Sequence, residues 1–139
     1  MQLQILTNAH ANSESIAKIE TGLNDFNRSS SSIAEVEPLH SLATGMDGKV
    51  YGGAIGRTWG ECCELQLIWV DEEYRGNGIG KLLMDSFENE AVNRGCKLIY
   101  LSTFTFQGPL FYEKRGYTEV LRIAGFSGGE EKIHMQKNV

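Results

Sequence analysis

Residues 68–83 decide the fold, and they read IWVDEEYRGNGIGKLL. Residues 68–70 end an apolar segment and predict a strand. Glycines at positions 76, 78 and 80 then predict a tight turn in which the backbone approaches a ligand closely. From position 78 the apolar residues recur at helical spacing, which predicts an amphipathic helix over residues 78–94 that stops at Gly95. Strand, glycine-rich loop and helix are therefore expected in direct succession.

The start of this helix is a predicted phosphate site. Its first N–H groups have no partner within the helix, and the positive end of the helix dipole lies behind them. Such an arrangement binds phosphate or pyrophosphate, and Arg75 and Lys81 flank it. The third glycine comes one residue too early for the dinucleotide-binding fingerprint. The run Gly80-Lys81-Leu82 lacks the hydroxyl residue that ends a P-loop.

Two spaced motifs resemble one known family. Arg75, Gly78 and Gly80 fill the pattern Arg-x-x-Gly-x-Gly, and residues 111–117 read FYEKRGY, with a predicted strand over residues 97–104 between the two motifs. Both motifs are similar to those of the GNAT superfamily of CoA-dependent N-acetyltransferases. The stretch at 103–109 also resembles a bacterial subgroup of that family. Two motifs in the expected structural context are a more specific signal than either alone.

The remaining sequence predicts an α/β fold in the order β-α-β-β-β-α-β-α-β-β. Strands are expected at 3–6, 39–44, 50–59, 62–70, 97–104, 117–126 and 132–137, and helices from Asn12 or Ser13, at 78–94 and at 109–115. Residues 28–32 are an arginine followed by four serines, and this run predicts a loop or a flap. The resemblance implies a mixed, mostly antiparallel central sheet with helices on both faces. The length of 139 residues favours one acetyltransferase domain over 1–139.

The resemblance also implies where acetyl-CoA binds. Pantetheine would lie in a V-shaped opening between the strands at 62–70 and 97–104, bonded to main-chain groups of residues 68–70. The opening begins at a bulge in the first of these strands, which the sequence does not reveal. The pyrophosphate would lie on the N–H groups of the loop. The implied cofactor-binding residues are Ile68, Trp69, Val70, Arg75, Gly76, Asn77, Gly78, Ile79, Gly80, Lys81, Gln107 and Tyr112.

Direct transfer of the acetyl group has three requirements. An acid must protonate the leaving sulfur, hydrogen-bond donors must stabilise the oxyanion, and the acceptor's ammonium group must lose a proton. The resemblance implies Tyr112 as the acid, because a phenol with an ordinary pKa of about 10 stays protonated at neutral pH. A backbone N–H such as that of Val70 can stabilise the oxyanion. Glu64 is the candidate base, with Glu61 as a second carboxylate. Many relatives have a glutamate where this chain has Ser102, so a water chain or an amine of lowered pKa is an equal alternative.

Composition excludes several other classes. The formal net charge of −5 argues against nucleic-acid partners. The densest apolar run, residues 65–70, is far shorter than the ~18 residues of a membrane span. Residues 1–10 carry no secretory leader pattern. The three cysteines and three histidines lack metal-ligand spacing, and the cysteines are interpreted as apolar filler in a reducing compartment. A cytoplasmic protein without metal, membrane or nucleic-acid partner is expected.

The sequence thus predicts an N-acetyltransferase that uses acetyl-CoA as cosubstrate. A primary amine would attack the thioester directly in a ternary complex. The alternative is a non-catalytic acyl-CoA-binding module, which Ser102 favours and Tyr112 disfavours. The identity of the amine acceptor is open. Because dimers are common among relatives, a homodimer is also an expectation.

Overall fold

The computed structural model describes residues 1–30 and 35–139. The chain separates into two compact units, Met1–Ala34 and Glu35–Val139. Their elements confirm the α/β class and the mostly antiparallel sheet. The expectation of a single acetyltransferase domain over 1–139 stays a prediction. None of the described helices is long and apolar enough to span a bilayer.

The first unit contains one helix, α1 (Ser13–Ser30). The Asn12 side chain caps it, since Asn12 Oδ1 accepts the Ser15 N–H at 2.7 Å, and this confirms the predicted start. The helix runs through positions 28–30, where a loop was expected. The rest of that predicted loop, residues 31–32, lies outside the described residues.

The strand predicted at 3–6 is not formed. The described backbone there is irregular, and the side chains of Leu3, Ile5 and Leu6 are 73%, 78% and 76% exposed. Four residues alternate weakly between apolar and polar, but ordering them costs conformational entropy that only burial and pairing can offset. Neither is present in this segment, so the prediction was wrong.

The second unit is built on a six-stranded sheet in the order β1-β2-β3-β4-β6-β5. Its strands are β1 (Glu37–Thr44), β2 (Val50–Trp59), β3 (Cys62–Val70), β4 (Leu98–Phe104), β5 (Thr118–Ile123) and β6 (Lys132–Asn138). Neighbouring strands are antiparallel except β3 and β4, which run parallel. The central meander, the fourth strand and the closing hairpin agree with the sequence prediction, although β5 ends at Ile123 rather than residue 126.

Two helices complete the second unit. Helix α2 (Ile79–Asn93) packs on β1, β2 and β3. It buries Leu83, Met84, Phe87 and Ala91 in the main hydrophobic core, as its apolar spacing predicts. Helix α3 (Pro109–Lys114) follows β4 and has proline at its first position, where the missing N–H costs nothing.

A partly buried ion cluster joins α2 to the elements after α3. The carboxylate of Glu88, whose side chain is 12% exposed, accepts from Arg115 Nε at 3.2 Å, Tyr117 Oη at 3.1 Å and Lys137 Nζ at 3.0 Å. Arg115 Nη2 also donates to Asp85 at 2.8 Å. Since each charge has an opposite partner, the cluster fixes the end of α3 against α2 and β6.

Candidate active site

The parallel pair β3 and β4 separates after a short ladder. The described pairs are Cys62 with Leu98, Cys63 with Ile99 and Glu64 with Tyr100, and the ladder ends there. Beyond it, residues 65–70 and 101–103 form the walls of a cavity of about 620 Å³, here called the central cavity. The V-shaped opening that the resemblance implied is therefore present in this fold.

A bulge in β3 starts the opening. Ile55 of β2 pairs with Leu67 while Gly56 pairs with Leu65, so Gln66 is an extra residue on β3. A Cβ on Gly56 would lie 1.9 Å from the backbone oxygen of Glu64. Only glycine permits this approach, and the bulge depends on it.

The bulge also sets which main-chain groups face the opening. Asp71 N–H donates to the Tyr51 carbonyl of β2 at 2.8 Å. Antiparallel residues alternate between bonded and non-bonded pairs. The N–H and C=O of Val70 and Ile68 therefore point away from β2 and into the opening, whereas those of Trp69 point to β2. Arg75 Nε, which donates to the Val70 carbonyl at 2.8 Å, approaches from the open side.

Tyr112 lies on the wall opposite β3. Helix α3 places it in the central cavity beside Phe111, with ring centroids 5.2 Å apart. Its side chain packs on Tyr117, whose ring lies at 5.8 Å. Tyr112 is 7% exposed, and burial raises the pKa of its phenol to about 12. The hydroxyl therefore stays protonated at neutral pH and can act as a donor.

The turn before α3 is held by Gln107. The Gln107 Oε1 atom accepts from Phe104 N at 3.0 Å and lies 3.5 Å from Thr103 Oγ1, and Gly108 N donates to Thr103 Oγ1 at 3.4 Å. Gln107 also lines the central cavity. It thus orients the segment that carries Tyr112, in addition to standing where a cofactor contact was predicted.

The glycine-rich loop has the geometry of an anion site. Gly76 and Gly78 have φ values of 77° and 78°, which side chains rarely adopt. The first bond of α2 is Leu82 N–H to the Gly78 carbonyl at 3.1 Å, so the N–H groups of residues 79–81 precede the intrahelical ladder. Asn77 Nδ2 braces the turn through the carbonyls of residues 74 and 75 at 3.2 and 3.3 Å.

This loop borders a second cavity of about 380 Å³, here called the loop cavity. It contains the predicted phosphate-binding residues Arg75, Gly76, Gly78, Ile79, Gly80 and Lys81. It shares Ile68, Trp69, Val70, Arg75 and Phe111 with the central cavity. The two cavities therefore form one groove that runs from the start of α2 to Tyr112. Lys81, 70% exposed, pairs with Asp85 at 2.7 Å at its rim.

The two candidate carboxylates lie elsewhere. Glu64 belongs to the last paired rung, and its Oε2 accepts from Arg57 Nε at 2.9 Å. It lines a third cavity rather than the central one. Glu61 pairs with Lys97 at 2.7 Å at the closed end of the β3–β4 ladder. Glu64 therefore lies where the two strands separate but outside the central cavity, and Glu61 lines neither of these cavities.

The sequence assigned no role to several residues that line the groove. Phe111 lines both parts of the groove, and Leu101, Thr103 and Phe106 line the central cavity. Phe111 belongs to the motif at 111–117, but its place in the groove, like that of the other three, follows from strand register and from the turn before α3. Among the described residues, no cluster of three or more His, Cys, Asp or Glu side chains is arranged to hold a metal ion.

Comparisons with known proteins identify the family of the chain. The family model for the acetyltransferase (GNAT) family matches residues 6–117. Acetyltransferase Atu2258 of Agrobacterium fabrum is 33% identical over 91 residues, 66% of each chain. Blasticidin-S acetyltransferase of Streptomyces morookaense is 33% identical over 101 residues, 70% of this chain and 74% of that protein. A crystal structure from Agrobacterium tumefaciens has a TM-score of 0.88 at 26% identity and covers 99% of this chain and 100% of its own. The chain belongs to the GNAT family and is an acetyl-CoA-dependent acetyltransferase.

Proposed function

We propose that the chain transfers the acetyl group of acetyl-CoA to a primary amine, which attacks the thioester directly in a ternary complex. The observation that carries the proposal is the continuous groove from the start of α2 to the buried phenol of Tyr112. One end of this groove suits an anion and the other holds a proton donor. Acetyl transfer needs both, because the cofactor is a diphosphate at one end and a thioester at the other.

In this proposal the cofactor binds as an extra strand along β3. Ile68 and Val70 bond the pantetheine arm with their main-chain groups, which face the opening. Trp69, whose main chain faces β2, contributes its half-exposed side chain. The pyrophosphate lies on the N–H groups of residues 76–81, and Arg75 and Lys81 neutralise its charge. Gln107 borders the cofactor and holds the turn before α3.

The chemistry then needs three groups. The amine nitrogen attacks the carbonyl carbon, and an N–H facing the opening, such as that of Val70, stabilises the oxyanion. As the carbon–sulfur bond breaks, Tyr112 gives its proton to the thiolate. Glu64 is the candidate that the sequence offers for removing the ammonium proton, but its carboxylate is paired with Arg57. The intact Tyr112 and the family membership both argue against the non-catalytic acyl-CoA-binding module.

Titration calorimetry with CoA and acetyl-CoA tests the binding half of the proposal. Gly78→Leu puts a side chain where no atom lies within 4 Å and where the pyrophosphate is proposed to bind. Gly48→Leu is a matched control, because Gly48 has a φ of 79° and equally open space in the β1–β2 turn. Affinity should fall at least about tenfold in the Gly78 variant only. Equal affinity in both folded variants would contradict the assigned phosphate site.

A broad amine panel tests the transfer half. Polyamines, aminoglycosides, amino acids and a peptide with a free N-terminus are offered with acetyl-CoA. Blasticidin S is included because one relative bears its name. Amine-dependent release of CoA, detected by mass spectrometry together with the acetylated product, is the expected result. CoA binding without amine-dependent release for any acceptor would instead support the acyl-CoA-binding module.

A further inference from the structure

A third cavity adjoins the opening on its far side. It has a volume of about 450 Å³ and is here called the histidine cavity. It shares Gln66, Ser102 and Gln107 with the central cavity, so the two meet where β3 leaves β4. Its own lining includes Glu64, Tyr100, Lys132 and His134.

His134 lies one strand away from the opening. The register of β4 and β6 pairs it with Ser102, and its Nδ1 atom is 3.4 Å from Ser102 Oγ. Its ring also lies against that of Tyr100 at a tilt of 30°, with centroids 5.7 Å apart. These two contacts fix the ring at the border of the opening. If Nδ1–H donates to Ser102, then Nε2 carries the lone pair that can accept a proton.

The other charged groups facing the cavity are less suited to that task. From β3, the Glu64 carboxylate is already paired with Arg57 of β2 at 2.9 Å. From β4, the pKa of Tyr100 is raised by burial and then by Glu64, so it is a donor at neutral pH. From β6, Lys132 is a cation lying over the Phe104 ring at 5.9 Å. Among these cavity-lining groups, His134 is the one whose neutral ring holds both a donor and an acceptor nitrogen.

We propose that His134, oriented by Ser102, is the general base that deprotonates the acceptor's ammonium group; this rests on the proposed function. His134 Nε2 takes one proton and passes it to water. The freed nitrogen bonds to the carbonyl carbon, the carbon–sulfur bond breaks, and sulfur receives the Tyr112 proton. Tyr112 regains a proton from the nitrogen as the amide forms. The sum is ammonium plus thioester giving amide, thiol and one released proton.

Kinetics of His134→Gln test the proposal, with the best amine of the panel as acceptor. The turnover number should fall by about 10²–10⁴-fold, with acetyl-CoA affinity by calorimetry unchanged. The acidic limb of the pH profile should be lost in His134→Gln, because the general base is gone. Ser102→Ala should lower turnover less. His40→Gln, an exposed histidine on β1, is the matched control and should leave the profile unchanged. A full-rate His134→Gln enzyme with an intact acidic limb would refute the base.

A second measurement does not depend on turnover. Nitrogen-15 NMR of histidine-labelled protein reports which ring nitrogen carries the proton. The proposal requires that neutral His134 carries its proton on Nδ1, and Ser102→Ala should change the tautomer ratio. The Nε2–H form would overturn the proposal, because that nitrogen would then have no lone pair for the acceptor. If the wild-type protein turns over no amine, the proposed function fails and the base falls with it. If only the His134 results disagree, the proposed function stands.

Discussion

At the residue scale, Tyr112 owes its suitability as an acid to burial rather than to a neighbouring charge. Desolvation is the cause of its raised pKa, about 12. Burial disfavours the phenolate, so the proton stays on the hydroxyl until negative charge develops on the leaving sulfur. Tyr117 packs beside it but bonds to Glu88. Two adjacent tyrosines therefore have different tasks, one proposed for chemistry and one for structure.

Replacing Tyr112 with phenylalanine tests this separation. Because the ring stays and only the proton donor is lost, turnover should fall by about 10–10³-fold, with little change in acetyl-CoA affinity. Steady-state kinetics and calorimetry measure the two effects. Tyr117→Phe is the matched control: it should lower the free energy of unfolding by about 1.5–3 kcal/mol and leave turnover nearly intact. Unchanged turnover in Tyr112→Phe would remove this hydroxyl from the mechanism.

The three cysteines also differ residue by residue. Cys62 is exposed, so its interpretation as apolar filler was wrong, whereas Cys63 and Cys96 are buried as expected. Burial raises the pKa of the Cys63 thiol to about 12 and also raises that of Cys96. Thiolates react and thiols do not. A chromogenic disulfide reagent at pH 8 should therefore label one thiol rapidly in the native protein and three in denaturant. Cys62→Ser should abolish the rapid phase. Rapid labelling of two or more native thiols would contradict the buried assignment.

At the element scale, the bulge in β3 is the feature on which the groove depends. Gly56→Ala would drive a methyl group into the Glu64 carbonyl and the Phe87 ring, so the strand pair must shift. Unfolding free energy should fall by about 3 kcal/mol, and acetyl-CoA affinity should fall with it. Urea unfolding and calorimetry measure both. Gly22→Ala on α1, where a Cβ meets nothing within 4 Å, is the control and should be neutral or stabilising. Equal stability of the two variants would show that the bulge tolerates a side chain.

Local elements could be predicted and long-range register could not. The glycine-rich loop, α2 and the motif around Tyr112 are each encoded by neighbouring residues, so pattern and spacing predicted them. The extra residue Gln66 and the pairing of Ser102 with His134 depend on strands that are distant in sequence. The strand predicted at 3–6 was wrong for a related reason, because weak alternation does not show whether a strand has a partner to pair with.

At the scale of the whole molecule, the buried tyrosines predict how stability varies with alkaline pH. The pKa of Tyr112 is raised by burial to about 12, and that of Tyr117 is raised by burial and by Glu88. A pKa raised on folding contributes stability that is complete below the unfolded value of about 10 and is lost as pH rises through the folded value.

The free energy of unfolding should therefore begin to fall near pH 9, from the buried thiols of Cys63 and Cys96, and fall more steeply from pH 10 towards pH 12 as the tyrosines add to the loss. Urea titrations at intervals from pH 8 to 11.5, with tyrosinate absorbance recorded in parallel, measure this. Tyr112→Phe should show a shallower decline, and Glu130→Gln, distant from both tyrosines in sequence, should match the wild-type slope. An identical slope in Tyr112→Phe would mean that this phenol ionises equally easily in both states.

The oligomeric state and the cellular location of the protein stay predictions. Sedimentation at several protein concentrations measures whether a homodimer forms. The cytoplasmic location and the expected lack of a nucleic-acid partner need cell fractionation and a binding assay with RNA and DNA.

The short ladder between β3 and β4 has a mechanical consequence. Three pairs connect β1–β3 to β4–β6 within the sheet, so that seam is its weakest line. If the pantetheine arm lies along Ile68 and Val70 as proposed, the bound cosubstrate adds hydrogen bonds where β3 and β4 have separated. The cosubstrate then stabilises the sheet that binds it. Amide deuterium uptake at those two residues should then slow when acetyl-CoA binds and recover once CoA leaves. The local stability of the sheet would therefore change with each catalytic cycle.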